Sequence, residues 1–142
     1  MRTLEEPAVS AGLRGEVVAV VLTHRGRVCL LRRSRAVSSD RGRWHCVTGF
    51  LPAGESAEAQ AAAEVFEETG LVGVHLEPGP ILQLPDPRGG YWRVHSYRCE
   101  AARADLTLNW ENDAIRWVVP ARFADLPIVT WLPRVAAAVG CS

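Results

Sequence analysis

The 142-residue sequence predicts an α/β (α+β) fold in which a mixed β-sheet is covered by helices on both faces. Strand-like runs lie in both halves of the chain, a helix pattern with its own start and stop signals lies between them, and a second helix pattern ends the chain. Such an order is typical of one sheet between two helical layers, an α/β/α sandwich. No repeat or long linker divides the chain, so one domain is expected over residues 1–142.

The strands are predicted from runs rich in Val, Ile, Leu and aromatic residues. Residues 1–14 lack periodicity and are expected to form a possible N-terminal arm. Arg25-Gly26-Arg27 predicts a hairpin turn, and Pro78-Gly79-Pro80 predicts a break between two strands. The predicted strands cover residues 16–24, 28–33, 44–51, 72–77, 81–84, 91–101 and 115–120.

The central helix is predicted from Ala57 to Thr69, because Ser56 is a good N-cap and Gly70 a good C-terminal cap. A C-terminal helix is expected from about residue 131. On a helical wheel, three glutamates share an arc of roughly 100°. The side expected to pack on the sheet lies opposite and comprises Ala59, Ala62, Ala63 and Phe66.

Composition excludes several function classes. The net charge is zero, so bulk electrostatics gives no reason to expect nucleic acid or a membrane surface as a partner. No apolar run approaches the roughly 20 residues that span a bilayer, and the first residues lack a signal-peptide pattern. The four cysteines are widely spaced without a CxxC pair, which favours reduced thiols and a cytoplasmic protein.

Glu64, Glu67 and Glu68 form an acidic cluster that no Lys or Arg of the helix offsets. Like charges at i, i+3 and i, i+4 repel, and the helix dipole disfavours negative charge in the last turn. A solvated acidic face is the simplest interpretation of such a pattern. A bound Mg²⁺ or Mn²⁺ explains it better, since these ions favour oxygen ligands and phosphate-bearing substrates.

The spacing of residues 49–71 resembles the signature of the Nudix hydrolase family. Eight of its nine specified positions match, namely Gly49, Glu55, Glu64, Val65, Glu67, Glu68, Gly70 and Leu71. The ninth is an Arg in the family and Ala63 here. In the family this Arg braces the loop through an acidic residue, so Glu55 is expected to be solvated or to pair with an Arg from elsewhere. The resemblance covers most of the chain and implies a Nudix-like α/β/α sandwich.

The resemblance implies a metal-dependent pyrophosphohydrolase that uses Mg²⁺ or Mn²⁺. The implied substrate is a nucleoside diphosphate linked to another moiety, such as a nucleotide sugar, an ADP-ribose-like molecule or a modified nucleotide. Two alternatives stay open: a house-cleaning hydrolase of noncanonical nucleoside triphosphates, and a non-catalytic nucleotide-binding module, which Ala63 favours. By position, the implied metal ligands are Glu64, Glu67, Glu68 and the Gly49 carbonyl.

The implied catalytic residues are Glu67, Glu68 and Glu111, the last being the family's further glutamate outside the signature. Glu100 is a weaker candidate for the same role, and either could be an ordinary loop or strand acid. The candidate substrate-binding residues are two arginines that could grip phosphate and two tryptophans that could stack on a base, namely Arg33, Arg43, Trp44 and Trp92. Ordinary surface or core positions are the alternative for each of these. Similar proteins also suggest a possible homodimer.

Overall fold

The computed structural model describes residues 12–142. The predicted N-terminal arm therefore lies mostly outside the described residues; its last two residues, Leu13 and Arg14, begin a strand. The strands are β1 Leu13–His24, β2 Arg27–Arg33, β3 Trp44–His45, β4 Val47–Phe50, β5 Glu77–Pro85, β6 Tyr91–Glu100 and β7 Asn112–Val118. The helices are α1 Ala57–Thr69, a 3-10 helix Pro120–Asp125 and α2 Leu132–Ala138.

Within residues 12–142, the seven strands form one mixed sheet around β1. β1 runs parallel to β6, and the other strand pairs are antiparallel. β1 pairs with β2 only at Thr23 and His24, and with β4 over Val17–Val20. The predicted strand 44–51 is therefore two strands, because the chain leaves the edge of β2 at His45 and joins β1 at Val47. β1 and β2 are no longer paired there, since their two pairs lie at the hairpin end.

The segment after α1 differs from the prediction. Residues 72–76 are not a strand, and β5 passes through Pro78-Gly79-Pro80 without ending. A register shift between Pro78 and Ile81 absorbs the irregular segment. Proline is tolerated there because β5 pairs with β6 on one side only among the described strands, so its other edge needs no ladder hydrogen bonds.

Alternate residues of β1 point into two separate cores. Val17, Ala19 and Val21 pack with α2, whereas Val18, Val20 and Leu22 pack with Ala61 and Val65 of α1. Successive side chains of a strand point to opposite faces, so a continuously apolar β1 is the mark of a sheet covered on both sides. The predicted α/β/α sandwich is confirmed.

Helix α1 has the predicted bounds and caps. The Ser56 hydroxyl accepts a hydrogen bond from the Ala59 N–H at 3.2 Å, a contact that typically contributes about 1 kcal/mol. Gly70 ends the helix in the left-handed region with φ 79°, and its N–H donates to the Phe66 carbonyl at 2.8 Å. Both signals are local in sequence, so the sequence alone locates the helix.

The predicted packing face of α1 is wrong. Its buried side chains are Ala61, Val65, Glu68 and Thr69, while Ala63 and Phe66 are exposed. We expected the glutamates to point away from the sheet. The helix is instead rotated about its axis, so that Glu64 and Glu68 border the sheet and only Glu67 lies on the solvent side.

Candidate functional site

Three carboxylates meet where α1 crosses the sheet. One oxygen each from Glu64, Glu68 and Glu111 lies within 4.8 Å of the other two. Glu64 and Glu68 project from the same side of α1, and Glu111 comes from the loop that leads into β7. The 3.6-residue period of the helix brings residues four apart onto one face, but the contact with Glu111 depends on tertiary structure.

Gly49 of β4 makes room for this cluster. A Cβ atom at this position would overlap the carboxyl group of Glu64. Its backbone is extended within β4, so the missing side chain, rather than an unusual φ, is the reason for glycine here. Gly49 therefore lets the helix carboxylates approach the sheet, and its own backbone lies beside them.

Each outer carboxylate has an amide partner. Gln60, one turn earlier on α1, donates from Nε2 to Oε2 of Glu64 at 2.9 Å. Asn109 donates from Nδ2 to Oε1 of Glu111 at 3.0 Å. The innermost carboxylate differs, because Glu68 is only 3% exposed and no donor among residues 12–142 reaches its Oε2.

The loop that carries Glu111 is fixed by several hydrogen bonds. Ser34, just after β2, donates from its N–H to the Glu111 carbonyl at 2.8 Å and from Oγ to the Trp110 carbonyl at 2.7 Å. The Glu111 N–H donates to Oδ1 of Asn109 at 3.0 Å. Asn109 therefore bonds both the backbone and the carboxylate of Glu111, which sets the direction of this side chain.

Proximity and burial raise the pKa values of the inner carboxyls. Burial is the main cause for Glu68, whose pKa lies well above its ordinary value, and the charges of Glu111 and Glu64 raise it further. Burial also raises the pKa of Glu64. Of the two carboxyls, Glu68 has the more strongly raised pKa, because it is the more deeply buried.

The residues present fit a divalent cation. Three carboxylates converge, one buried oxygen has no donor, and a glycine leaves space beside them. The first two features are unfavourable without an ion, since close like charges and unpaired buried polar atoms both cost free energy. Oxygen-only donors of this kind suit Mg²⁺ or Mn²⁺.

Glu67 lies outside this cluster. Its side chain is exposed, and it is not one of the three carboxylates that converge. Its charge contributes only a small part of the raised pKa of Glu64. The sequence grouped Glu67 with Glu64 and Glu68 on one arc, but the sheet meets only one edge of that arc.

Glu55 and Ala63 are also exposed, and Glu55 has no ion-pair partner in the described part of the chain.

The two predicted phosphate-binding arginines have different surroundings. Arg33 pairs with Asn112, next to Glu111, and its guanidinium donates to the Ser39 carbonyl at 2.8 Å. It also lies close enough to His45 for its charge to help burial lower the pKa of that imidazole to about 3. Arg43 is exposed and donates to the Ile128 carbonyl at 3.3 Å, which turns it towards the segment before α2.

The two predicted stacking tryptophans are not beside the carboxylates. Trp44 is 7% exposed and belongs to the core under α2, so it offers no open face for a base. Trp92 packs against the same core, lies between Phe50 and Trp131, and donates from Nε1 to Asp86 at 2.8 Å. Both indoles therefore occupy the face of the sheet opposite α1, where apolar packing explains them.

Glu100, the weaker catalytic candidate, lies at the far end of β6. Its carboxylate accepts hydrogen bonds from the Thr23 hydroxyl at 2.5 Å and from the Arg25 N–H at 3.3 Å.

Sequence reasoning missed Gln60 and Asn109, the amides that hold Glu64 and Glu111. For Gln60, the four-residue spacing to Glu64 on one helix was an available signal.

Comparison with known proteins identifies the family. The model of the NUDIX domain matches residues 12–139. An octanoyltransferase of Myxococcus xanthus is 36% identical over 71% of this chain and 29% of its own length. A MutT-like protein of Streptomyces ambofaciens is 30% identical over 73% of this chain and 62% of its own length. The chain thus spans less than a third of the first relative and less than two thirds of the second.

A solved structure agrees with the sequence comparisons. The NUDIX domain of Shewanella oneidensis NrtR, complexed with ADP ribose, superposes with a TM-score of 0.73 at 18% identity, covering 87% of this chain and 84% of that one. Across residues 12–142, no helix combines the length and apolar character that crossing a membrane requires. The extent of the family match, together with the fold, shows that the chain belongs to the Nudix hydrolase family.

Proposed function

We propose that this protein is a metal-dependent pyrophosphohydrolase that cleaves the diphosphate linkage of a nucleoside diphosphate joined to another moiety. The observation that carries the proposal is the convergence of Glu64, Glu68 and Glu111, with a buried oxygen of Glu68 that no donor reaches. Mg²⁺ is the expected ion and Mn²⁺ the expected substitute. When bound, such an ion neutralises diphosphate oxygens and favours ionisation of the attacking water.

The three carboxylates have different roles in this proposal. Glu64 and Glu68 would hold the ion, which requires Glu68 to be ionised. The Gly49 carbonyl is a further proposed ligand, because a Cβ at this residue would overlap the Glu64 carboxyl and the backbone is therefore close to the cluster. Glu111 is the proposed general base, because Asn109 occupies only its Oε1 and the loop leaves the residue partly exposed. Glu67, on the solvent side, is no longer proposed as a ligand or as a catalytic residue.

Arg33 is the proposed phosphate contact. It lies beside Glu111 across the β2–β7 pair and on the side of β2 that faces α1, since Cys29 and Leu31 of the same strand pack into the core under α1. A guanidinium at this position can bind phosphate oxygens in a bidentate manner. Arg43 and the two tryptophans are not carried into the proposal.

The choice of substrate class has one support. The NrtR domain that shares this fold is complexed with ADP ribose, a nucleoside diphosphate linked to a sugar. Hydrolysis of noncanonical nucleoside triphosphates is the second candidate. A binding module without turnover is less favoured, because a partly buried carboxylate cluster costs stability that mere nucleotide binding does not require. The proposed setting is the cytoplasm, with a small-molecule substrate.

A hydrolysis panel tests the proposal. Phosphate released after phosphatase treatment is measured for ADP-ribose, nucleotide sugars, dinucleoside polyphosphates and nucleoside triphosphates, with Mg²⁺ and with Mn²⁺. We expect metal-dependent turnover that falls at least about 100-fold in Glu68→Gln and stays near wild type in Glu58→Gln, an exposed position on the same helix. Folded wild-type protein that binds metal and hydrolyses no member of the panel would leave the binding module as the better account.

A further inference from the structure

A second polar cluster lies on the sheet about two strands away from the carboxylates. The Glu16 carboxylate contacts Nε2 of His95 at 2.6 Å through one oxygen and a guanidinium nitrogen of Arg93 at 3.5 Å through the other. Glu16 comes from β1 and the other two from β6, in the parallel pair. None of the three is among the predicted metal ligands or the residues that hold them.

The strand register fixes where this cluster faces. Val18 of β1 is paired with Gly49 on one side and with His95 on the other. Directly paired residues point to the same face of a sheet, and Val18 packs under α1. His95 therefore projects to the face that carries Glu64, with its Cα about 10 Å from that of Gly49, which is two strand spacings.

The sheet is open at this cluster. On β5, the residues paired with His95 and Arg93 are Ile81 and Gln83, and both are exposed, Ile81 to 58%. The side chains of Glu16 and Arg93 are themselves 33% and 29% exposed. The Leu51 N–H donates to the Glu16 carbonyl at 2.9 Å, which ties this residue to the chain just after Gly49. Glu16, Arg93 and His95, called the polar shelf below, therefore lie between the carboxylate site and the β5 edge of the sheet.

The chemistry of the shelf suits hydroxyl groups better than phosphate. Glu16 and Arg93 cancel each other's charge, so the shelf does not select an anion. Each oxygen of Glu16 has one of its two lone-pair positions engaged and one left to accept a hydrogen bond. Arg93 and His95 add donors beside it. A carboxylate flanked by donors is the arrangement that binds ribose hydroxyls in dinucleotide sites.

We propose that Glu16, Arg93 and His95 form a subsite for the sugar hydroxyls of the substrate. This inference rests on the proposed function, because it places the sugar about 10 Å along the sheet from the carboxylates that would bind the diphosphate. Glu16 accepts from the hydroxyls, and His95 and Arg93 hold the carboxylate in place. The subsite makes the enzyme select hydroxyl-bearing sugars over deoxy analogues.

Steady-state kinetics of Glu16→Gln and His95→Gln test the subsite, with ATP against its 2′-deoxy analogue and with ADP-ribose. We expect Glu16→Gln to raise KM for ADP-ribose about tenfold, with kcat within about twofold of wild type, because a hydrogen bond to a charged acceptor is lost. The preference for the hydroxyl-bearing member of the pair should shrink by a similar factor. Glu77→Gln, an exposed carboxylate on β5, is the matched control.

Equilibrium binding separates this inference from the proposed function. Calorimetry with ADP-ribose requires no turnover, so weaker binding by Glu16→Gln supports the subsite even if wild type hydrolyses nothing. Mn²⁺ affinity should stay unchanged in both variants, which excludes general damage to the carboxylate site. Unchanged KM and unchanged ADP-ribose affinity in both folded variants would overturn the subsite. Equal weakening of binding for ATP and its 2′-deoxy analogue would also overturn it. So would the absence of ADP-ribose binding by wild type.

Discussion

Glu68 makes the metal-free protein less stable than it would be with a neutral residue of the same shape. It is almost fully buried, and Glu64 and Glu111 each place an oxygen within 4.8 Å of it. The substitution Glu68→Gln keeps the volume and removes the charge that Glu68 carries when it is ionised. We therefore expect this variant to unfold at a higher temperature than wild type when chelator removes all divalent ions.

The size of the effect follows from the geometry. Two unit charges 4.8 Å apart repel by about 1 kcal/mol in water and by about 3 kcal/mol at an effective dielectric constant of about 20. Glu64 and Glu111 are partly exposed, so a value of about 1 to 2 kcal/mol is appropriate. For a chain of this length, that difference raises Tm by about 3 to 6 °C.

The sign of the pH dependence follows from the raised pKa of Glu68. A carboxyl with a raised pKa in the folded state contributes stability that is complete below its ordinary pKa of 4.5 and lost as pH rises through the folded value. The advantage of Glu68→Gln should therefore be absent at pH 4 and largest at pH 9.

Thermal unfolding in chelator at pH 4, 7 and 9 measures this difference for wild type, Glu68→Gln and the exposed control Glu58→Gln. Saturating Mn²⁺ should reverse the order, because an ion that binds only the folded wild type stabilises it. A Glu68→Gln protein that is less stable than wild type at pH 9 in chelator would refute the reasoning.

Three further predictions concern neighbouring residues. Gly49→Ala should weaken Mn²⁺ binding more than about tenfold, because its Cβ displaces the Glu64 carboxyl; paramagnetic resonance of free Mn²⁺ measures this. Asn109→Ala should lower kcat about tenfold and leave Mn²⁺ affinity near that of wild type, since Glu111, the proposed base, loses its orienting amide. Burial lowers the pKa of His45 from 6.5 to about 3, so the unfolded state takes up a proton on acidification that the folded state does not. The free energy of unfolding of wild type should therefore fall by about 2 kcal/mol from pH 7 to pH 5. Urea titrations should show no such loss in His45→Leu.

Each of these expectations has a contrary result. Mn²⁺ affinity at the wild-type level in Gly49→Ala would show that Glu64 is not a ligand. An Asn109→Ala protein with full turnover would remove the positioning role of the amide. Equal loss of stability on acidification in wild type and His45→Leu would mean that His45 is not the group that takes up the proton.

Local signals in the sequence predicted much of the site. The caps at Ser56 and Gly70 act within one turn, so the bounds of α1 could be predicted. The spacing between Gly49 and Glu64 indicated that the two act together, and the structure brings them into contact. Glu111 could be suggested only by family resemblance, since its approach to Glu68 depends on how the loop before β7 packs.

The errors have a common physical cause, which is that tertiary packing is not visible in local patterns. The rotation of α1 about its axis decides that Glu68 is buried and Glu67 exposed, and the helix period permits either. Trp44 lies five residues before Gly49 in sequence, but the β2–β3 pairing places its side chain in the opposite core. Glu16 and His95 are 79 residues apart, so only the parallel β1–β6 pair brings them together.

The most direct test of the carboxylate site is a calorimetric titration of Mn²⁺ into the protein at pH 7, in two buffers with different ionisation enthalpies. The structure predicts one strong site, proton release on binding because Glu68 has a pKa well above its ordinary value, and loss of that site in Glu68→Gln. Binding without proton release, or binding of equal strength in Glu68→Gln, would contradict the assignment of the carboxylate cluster as the metal site.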